Sequence, residues 1–351
     1  MKHWRLYFKQ NQGLLVAIGL FCFFYGAYSG QHPQGFTAAL FNQNSNECFA
    51  LVMAAMAQTI PVLTGGLDLS IGAILTLVNC LASELLGGTA VENAFGFAAC
   101  LLAGLACGFC NGCLVVYGRL QPIIATLASS AIFIGIALFI RPTPGGTING
   151  DLAFAMTYDL NEALMAVGLS GLSGPLAWCG QIPTTVFFAL LMALIWTSFK
   201  RTQYGLEAYA IGASAEAAFM SGVQVKRAKL VAYSLAGFFA GVGGLYLALQ
   251  TSSGNANIPQ ASAYTLNSIA AVVIGGTSLY GGMGGAIGSI FGALVLRSVA
   301  FNFRVIDEQS ALGFLANPLY QPLVEGLVLL AAVSIGAFWV FRIKNRLEIF
   351  K

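Results

Sequence analysis

The sequence has little charge: only 8% of its 351 residues are Asp, Glu, Lys or Arg, whereas 58% are hydrophobic. An average soluble domain carries about 25% charged residues. This deficit excludes a large soluble domain, and with it an ordinary water-soluble enzyme. The composition also excludes disordered, collagen-like and small disulfide-rich chains. We therefore expect an all-α membrane protein whose single transmembrane domain occupies residues 1–351.

Residues that carry chemistry are also scarce. His3 and His32 are the only histidines, and no glycine is followed by lysine, so phosphate-binding, hydrolase and zinc motifs are lacking. We predict no catalytic residue, no metal site and no cofactor bound by this chain. Cys107, Cys110 and Cys113 have overlapping C-x-x-C spacings, but their apolar surroundings favour helix packing over metal binding. A net charge of +3 without a dense basic run argues against nucleic acid as a partner.

Ten apolar runs are present, and about 20 apolar residues suffice for a membrane-spanning helix. The runs are Leu14–Tyr28, Cys48–Leu63, Leu69–Leu86, Ala94–Tyr117, Pro122–Ile140, Pro183–Phe199, Leu230–Leu249, Tyr264–Leu279, Gly285–Phe303 and Leu319–Phe341. Lys and Arg concentrate in alternate loops, while the opposite loops carry only Arg141 and Arg304. Because positive loops stay in the cytoplasm, ten spans predict cytoplasmic N and C termini.

Two stretches interrupt the spans. Residues 141–182 are polar and rich in glycine and proline, and we expect a periplasmic loop that starts with turns in Arg141–Ile148. Residues 200–229 form a basic cytoplasmic loop with a helix-like centre. There Ala213–Gly222 predicts a short amphipathic helix that presents Glu216, Phe219 and Met220. Such a helix could dock into a partner's groove or lie on lipid headgroups, and composition does not decide between them.

Glycine is abundant, with 42 copies, and its spacing indicates close helix packing. Gly104, Gly108 and Gly112 form a G-x-x-x-G ladder, and Gly237/Gly241 and Gly281/Gly285 repeat the spacing. The segment 57–78 also resembles 269–295. In each, a span ends in a Gly-Gly pair and a Gly-rich span follows, which suggests a parallel internal repeat. The two pairs are Gly65-Gly66 and Gly275-Gly276.

Two acids lie near membrane depth, Asp68 and Glu325. Asp68 follows the first Gly-Gly pair at the start of a span, where its carboxylate would cap the helix N-terminus. A proton or ion site is the alternative. Glu325 is placed either beside a water-filled cavity or at the interface.

Several blocks resemble the monosaccharide (ribose-permease-like) permeases of bacterial ABC importers. Together they extend over about residues 58–300. The blocks are Gly65–Ala73, Asn111–Leu138, Arg201–Ser214, Ser221–Leu245 and Ala271–Leu294.

The resemblance implies a non-catalytic membrane subunit in the bacterial inner membrane. It implies an ABC ATPase subunit that binds ATP and Mg, a periplasmic sugar-binding protein and a second permease copy as partners. It also makes the cytoplasmic helix a coupling helix that docks into the ATPase subunit. The residues assigned to coupling are Ala213, Glu216, Ala217, Ala218, Phe219, Met220 and Gly222.

The residues that contact the sugar are harder to identify from the sequence. A neutral polyol needs polar, uncharged side chains along its path, although the same side chains can join helices to one another. The candidates at span depth are Gln58, Asn79, Asn111, Thr126, Ser129, Asn267 and Ser268. The favoured function is ATP-driven import of a monosaccharide or similar polyol, and the alternative is an ion- or proton-coupled secondary sugar transporter.

Overall fold

A computed structural model describes residues 12–306, except 34, 167 and 173, together with isolated positions between 320 and 334. The described part of the chain contains helices, turns and two isolated bridges but no strand. A 3-10 turn occupies Gly174–Leu176. In chain order the α-helices are α1 (Gln12–Gln31), α2 (Ala38–Leu63), α3 (Ile71–Leu85), α4 (Ala90–Val116), α5 (Pro122–Ile140), α6 (Gly150–Thr157), α7 (Leu160–Ala166), α8 (Ala177–Gly180), α9 (Thr184–Arg201), α10 (Gln203–Ala213), α11 (Ala215–Met220), α12 (Val225–Thr251), α13 (Ile258–Ile274) and α14 (Ala286–Arg304).

Nine of the predicted spans coincide with helices. Within the described residues, α1, α2, α4, α5, α9, α12 and α14 are long and apolar enough to cross a membrane, and α3 and α13 are shorter apolar helices. The main boundary error is at α2, which begins at Ala38 rather than Cys48. Its start is fixed by Thr37, whose hydroxyl accepts the Leu40 N–H at 3.2 Å. Most of the last predicted span, Leu319–Phe341, lies outside the described residues, and so does Glu325.

The helices divide into a buried centre and an apolar exterior. Helix α2 is buried on nearly every face, and α3, α12, α13 and α14 pack around it. By contrast, α1, α4, α5 and α9 expose many large apolar side chains, among them Phe23, Phe95 and Phe139. A helix that is apolar all round must be covered by protein or by lipid. The exposed helices therefore form a surface that lipid or another protein chain covers.

Glycines allow helices α4 and α12 to pack closely. The ladder on α4 packs directly on Gly237 and Gly241 of α12, so that a Cβ on Gly104 would lie 2.6 Å from the Gly237 carbonyl oxygen. The predicted role of these two sets of glycines is confirmed, because in lipid close backbone approach replaces the hydrophobic effect between helices. The Gly281/Gly285 spacing has a different origin: both residues lie in the link between α13 and α14, outside any helix.

Ion pairs and short helices organise the end of the molecule that the charge pattern assigns to the periplasm. Arg141 pairs with Glu84 and Arg304 with Glu47, each at 2.8 Å. The loop 141–182 contains α6, α7 and α8 as well as turns, which composition did not predict. Its first turn is tied to the α12–α13 turn, where Gly145 and Gly254 exchange both backbone hydrogen bonds.

The glycine contact gives the first prediction. In Gly237→Val, three added carbons would collide with the α4 backbone, and overpacking of this kind costs about 1–3 kcal/mol or more. We expect a lower apparent melting temperature and less monodisperse protein in detergent. Gly135→Val on α5 is the matched control, because no heavy atom lies within 4 Å of a Cβ there. Equal behaviour of the two variants would show that the α4–α12 contact does not limit stability.

Candidate functional site

The two Gly-Gly segments form the same local turn. After α2, the Gly65 N–H bonds to the Val62 carbonyl and the next N–H reaches back to Pro61. After α13, the Gly276 N–H bonds to Val273 and the Thr277 N–H reaches back to Val272. This is the Schellman pattern of helix ends.

The residue in the left-handed region is Gly65 in the first turn, with φ +77°, and Gly276 in the second, with φ +81°. Gly65 therefore corresponds to Gly276, which shifts the sequence alignment of the two Gly-Gly pairs by one position. The repeat is a helix–link–helix unit. Each link has a position of positive φ just after its first helix, and glycine adopts that conformation without strain because it has no side chain.

The two links meet each other and α10 at one place, which we call the inner joint: Leu63–Gly65, Gly212 and Gly281–Gly282. The Gly282 N–H donates to the Leu63 carbonyl at 3.0 Å. A Cβ on Gly212 would overlap both of those groups, and a Cβ on Gly281 would lie 2.8 Å from the Gly212 Cα. The inner joint is therefore a contact of three backbones, one from each repeat unit and one from the loop 200–229.

Tyr209 adds a side-chain contact to the inner joint. Its hydroxyl donates to the Gly284 carbonyl at 2.7 Å, and the Lys200 ammonium lies 5.5 Å from its ring centroid. Burial raises the pKa of Tyr209 to about 12, so the hydroxyl keeps its proton at physiological pH. Sequence reasoning missed Tyr209, because no motif or spacing distinguishes it from an ordinary tyrosine at a membrane interface.

The predicted coupling helix is shorter than expected. Ser214 separates α10 from α11, since its hydroxyl accepts the Ala217 N–H at 3.2 Å and starts a new helix. Ala213 consequently ends α10 and does not belong to α11, which corrects the predicted range Ala213–Gly222. The turn expected at Gly222 is confirmed: φ is +85°, and the Val223 N–H reaches back to the Ala218 carbonyl.

Helix α11 presents most of its surface to solvent. Phe219 is 70% exposed and Met220 is 85% exposed, and Glu216 and Ala217 are also exposed. Ala218 is the buried member, packed with Ile211 and Ala228, and it anchors the helix to α10 and α12. Two large apolar side chains beside a carboxylate are thus held outward on a fixed base, which is the form of a docking surface.

Asp68 caps the link before α3, but it is not the N-cap residue. The N-cap is Ser70, and the Asp68 Oδ1 accepts the Ser70 N–H at 2.8 Å and the Ser70 hydroxyl at 2.6 Å. The predicted interaction with a free backbone N–H is present two residues earlier than expected. Asp68 is also fully buried.

Three predicted pathway residues surround this link rather than an open channel. The Gln58 amide, oriented so that both its groups are partnered, bonds to the Asp68 carbonyl and N–H at 2.8 and 3.3 Å. Asn111 donates to the Ser70 hydroxyl at 2.7 Å. The Thr126 hydroxyl accepts the Leu69 N–H at 2.9 Å. Helices α2, α4 and α5 are therefore joined through the link by buried polar bonds.

The remaining pathway candidates differ among themselves. Asn79 joins α3 to the α12–α13 turn, accepting the Asn255 N–H at 2.8 Å. Ser129 and Ser268 donate to carbonyls of their own helices. Asn267 is partly exposed, and its side chain makes no hydrogen bond within the described residues. Of the seven candidates, Asn267 is the one whose side chain makes no hydrogen bond at all within the described residues.

Comparison with known proteins identifies the family. The family model described as "Branched-chain amino acid transport system / permease component" matches residues 45–333. The chain belongs to this permease family. No solved structure matches it.

Named relatives of the permease share about a third of its residues. It is 32% identical to the ribose import permease protein RbsC of Escherichia coli (strain K12), over 95% of this chain and 94% of that protein. It is 31% identical to the fructose import permease protein FrcC of Rhizobium meliloti, over 82% and 74%. It is also 31% identical to the D-allose transport system permease protein AlsC of Escherichia coli (strain K12), over 81% and 79%.

The cap at Asp68 is testable by substitution. Asp68→Ala removes both bonds to Ser70 and leaves a buried N–H without a partner, which costs about 1–3 kcal/mol. Asp68→Asn keeps an oxygen in the same place, and we expect it to retain assembly and transport. Thermal unfolding in detergent and uptake in vesicles measure the two effects. Loss of transport by a well-assembled Asp68→Asn permease would mean that the negative charge itself is needed.

Proposed function

We propose that the chain is the membrane subunit of an ATP-driven importer in the bacterial inner membrane, and that it passes a monosaccharide or similar polyol to the cytoplasm. Membership of the permease family and the ribose, fructose and allose transport named for its relatives support this proposal. The permease performs no chemistry. ATP and Mg are bound by a separate ABC ATPase subunit, and a periplasmic binding protein delivers the sugar.

One observation carries the proposal furthest: the exposed helix α11 is connected through α10 to both repeat links. Phe219 and Met220 offer an apolar surface for a cleft of the ATPase subunit, and Ala218 fixes α11 to its support. Gly212, near the end of α10 and just before α11, lies in the inner joint. A push on α11 by the ATPase subunit therefore reaches α2 and the α13–α14 link through a short, stiff element.

Alternating access follows if the inner joint has two arrangements. The ATPase subunit would bias one arrangement from the cytoplasm, and the loaded binding protein would bias the other from the periplasm. The joint suits this role because it consists of backbone contacts around glycines, which a small shift makes or breaks together. The second permease copy, identical or related, would bring an equivalent joint on the other side of the pathway.

A neutral solute agrees with the charges and polar side chains of the described spans. Glu47 and Glu84 are paired with arginines, and Glu92 at the start of α4 accepts hydrogen bonds from Thr89. Asp68, in the link before α3, has no charged partner, and its carboxylate is tied to Ser70. A secondary transporter would need coupled acids facing the pathway. A neutral polyol needs hydrogen-bonding side chains such as Asn267 instead. The arrangement therefore favours ATP-driven import over an ion- or proton-coupled transporter.

The docking surface predicts the effect of changing Phe219. Phe219→Ala removes the aromatic side chain that would fill the ATPase cleft, and we expect at least a tenfold loss of ATPase subunit recovered with the permease. Leu206→Ala on α10 is the control, since Leu206 is also exposed, at 62%, but lies outside α11. Undiminished recovery and stimulation of the ATPase with Phe219→Ala would overturn the assignment of α11.

The inner joint predicts a different defect for Tyr209. Tyr209→Phe loses the bond to the Gly284 carbonyl but leaves α11 untouched, so the ATPase subunit should still bind. We expect transport per ATP hydrolysed to fall severalfold, because the link to α14 no longer follows α10. Co-purification, ATPase rate and uptake are measured on one preparation. A variant that transports as efficiently as the wild type would remove Tyr209 from the coupling route.

A further inference from the structure

Asp68 Oδ2, Asn111 Oδ1 and the Tyr233 hydroxyl are three of the buried polar atoms that have no hydrogen-bond partner within the described residues. Asp68 and Asn111 are 0% exposed, and Tyr233 is 1% exposed. A buried polar atom without a partner costs about 1–3 kcal/mol. Three such atoms on neighbouring side chains form a cluster, and one shared ligand could satisfy all three.

The three atoms belong to one small region. Asp68 and Asn111 are joined through the Ser70 hydroxyl by bonds of 2.6 and 2.7 Å. The Tyr233 hydroxyl reaches the same link, because a Cβ on Gly66 would lie only 2.5 Å from it. Tyr233 also packs with Val115, one helical turn beyond Asn111 on α4. The link before α3, α4 and α12 therefore converge here.

The hydrogen-bonding needs of the three atoms are complementary to one small molecule. The carboxylate oxygen and the amide oxygen accept hydrogen bonds, and the tyrosine hydroxyl can donate one. A water molecule donates two hydrogen bonds and accepts others, and buried waters in proteins typically make about three bonds.

We propose that a single buried water molecule binds between Asp68, Asn111 and Tyr233. It donates hydrogen bonds to the Asp68 carboxylate and the Asn111 amide oxygen, and it accepts one from the Tyr233 hydroxyl. The bound water ties the first repeat link to α4 and α12. Because water exchanges partners readily, this water-mediated contact can break and re-form, while the direct bonds of Asp68 to Ser70 keep the link folded.

The sign of the stability change in Tyr233→Phe tests the proposal. If the hydroxyl holds a ligand, its removal lowers the apparent melting temperature, by about 2–4 °C for one lost hydrogen bond. If the hydroxyl is bare, its removal leaves stability unchanged or raises it, and the proposal fails. Phenylalanine preserves the packing of the ring, so the variant folds. The matched control is Tyr264→Phe on α13, where the buried tyrosine's hydroxyl makes no hydrogen bond within the described residues. Its apparent melting temperature should equal that of the wild type.

Two further measurements distinguish water from other occupants. The difference in apparent melting temperature between the wild type and Tyr233→Phe should be the same in sodium, potassium and choline chloride of equal ionic strength. A difference that appears only with one alkali cation would overturn the proposal in favour of an ion site. In a structure that shows ordered solvent, we expect one peak within about 2.7–3.2 Å of all three atoms. A direct contact between the Asp68 and Asn111 oxygens, with no peak, would mean a protonated carboxyl and would also overturn it.

Discussion

The hydrogen bond from the Gly282 N–H to the Leu63 carbonyl joins the two repeat units, and the rest of the architecture depends on the space around it. Helix α10 reaches this bond only because Gly212 lacks a side chain, and the two links turn only because Gly65 and Gly276 adopt positive φ. Each backbone group that these helix ends leave without an intrahelical partner needs a hydrogen bond from elsewhere. Glycine makes those partnerships possible between segments far apart in sequence.

The same constraint explains where the polar side chains lie. Thr59 bonds to Ser289 and so joins α2 to α14, while Gln58, Asn111 and Thr126 surround the link before α3. These side chains satisfy backbone and each other in a medium that offers nothing else. Gln58, Asn111 and Thr126 therefore hold three helices to the link before α3, whereas the Asn267 side chain makes no hydrogen bond within the described residues.

The sequence predicted features that depend on spacing and composition, and it missed those that depend on the meeting of distant segments. Apolar length located nine helices, and the G-x-x-x-G spacing predicted the contact of Gly104 and Gly237. Spacing gave no sign that Tyr209 reaches Gly284, or that Tyr233 lies beside Gly66, because these pairs are far apart in the chain. The coupling range included Ala213 because periodicity runs on through Ser214, whereas the serine cap stops one helix and starts another.

The central claim is that this permease moves its solute only when an ATPase subunit drives the inner joint. The most direct test is uptake of labelled ribose, fructose and allose into vesicles that contain the permease with its ATPase subunit and binding protein. We expect uptake of at least one sugar that requires ATP and both partners. Uptake by the permease alone, driven by an ion gradient without ATP, would contradict it.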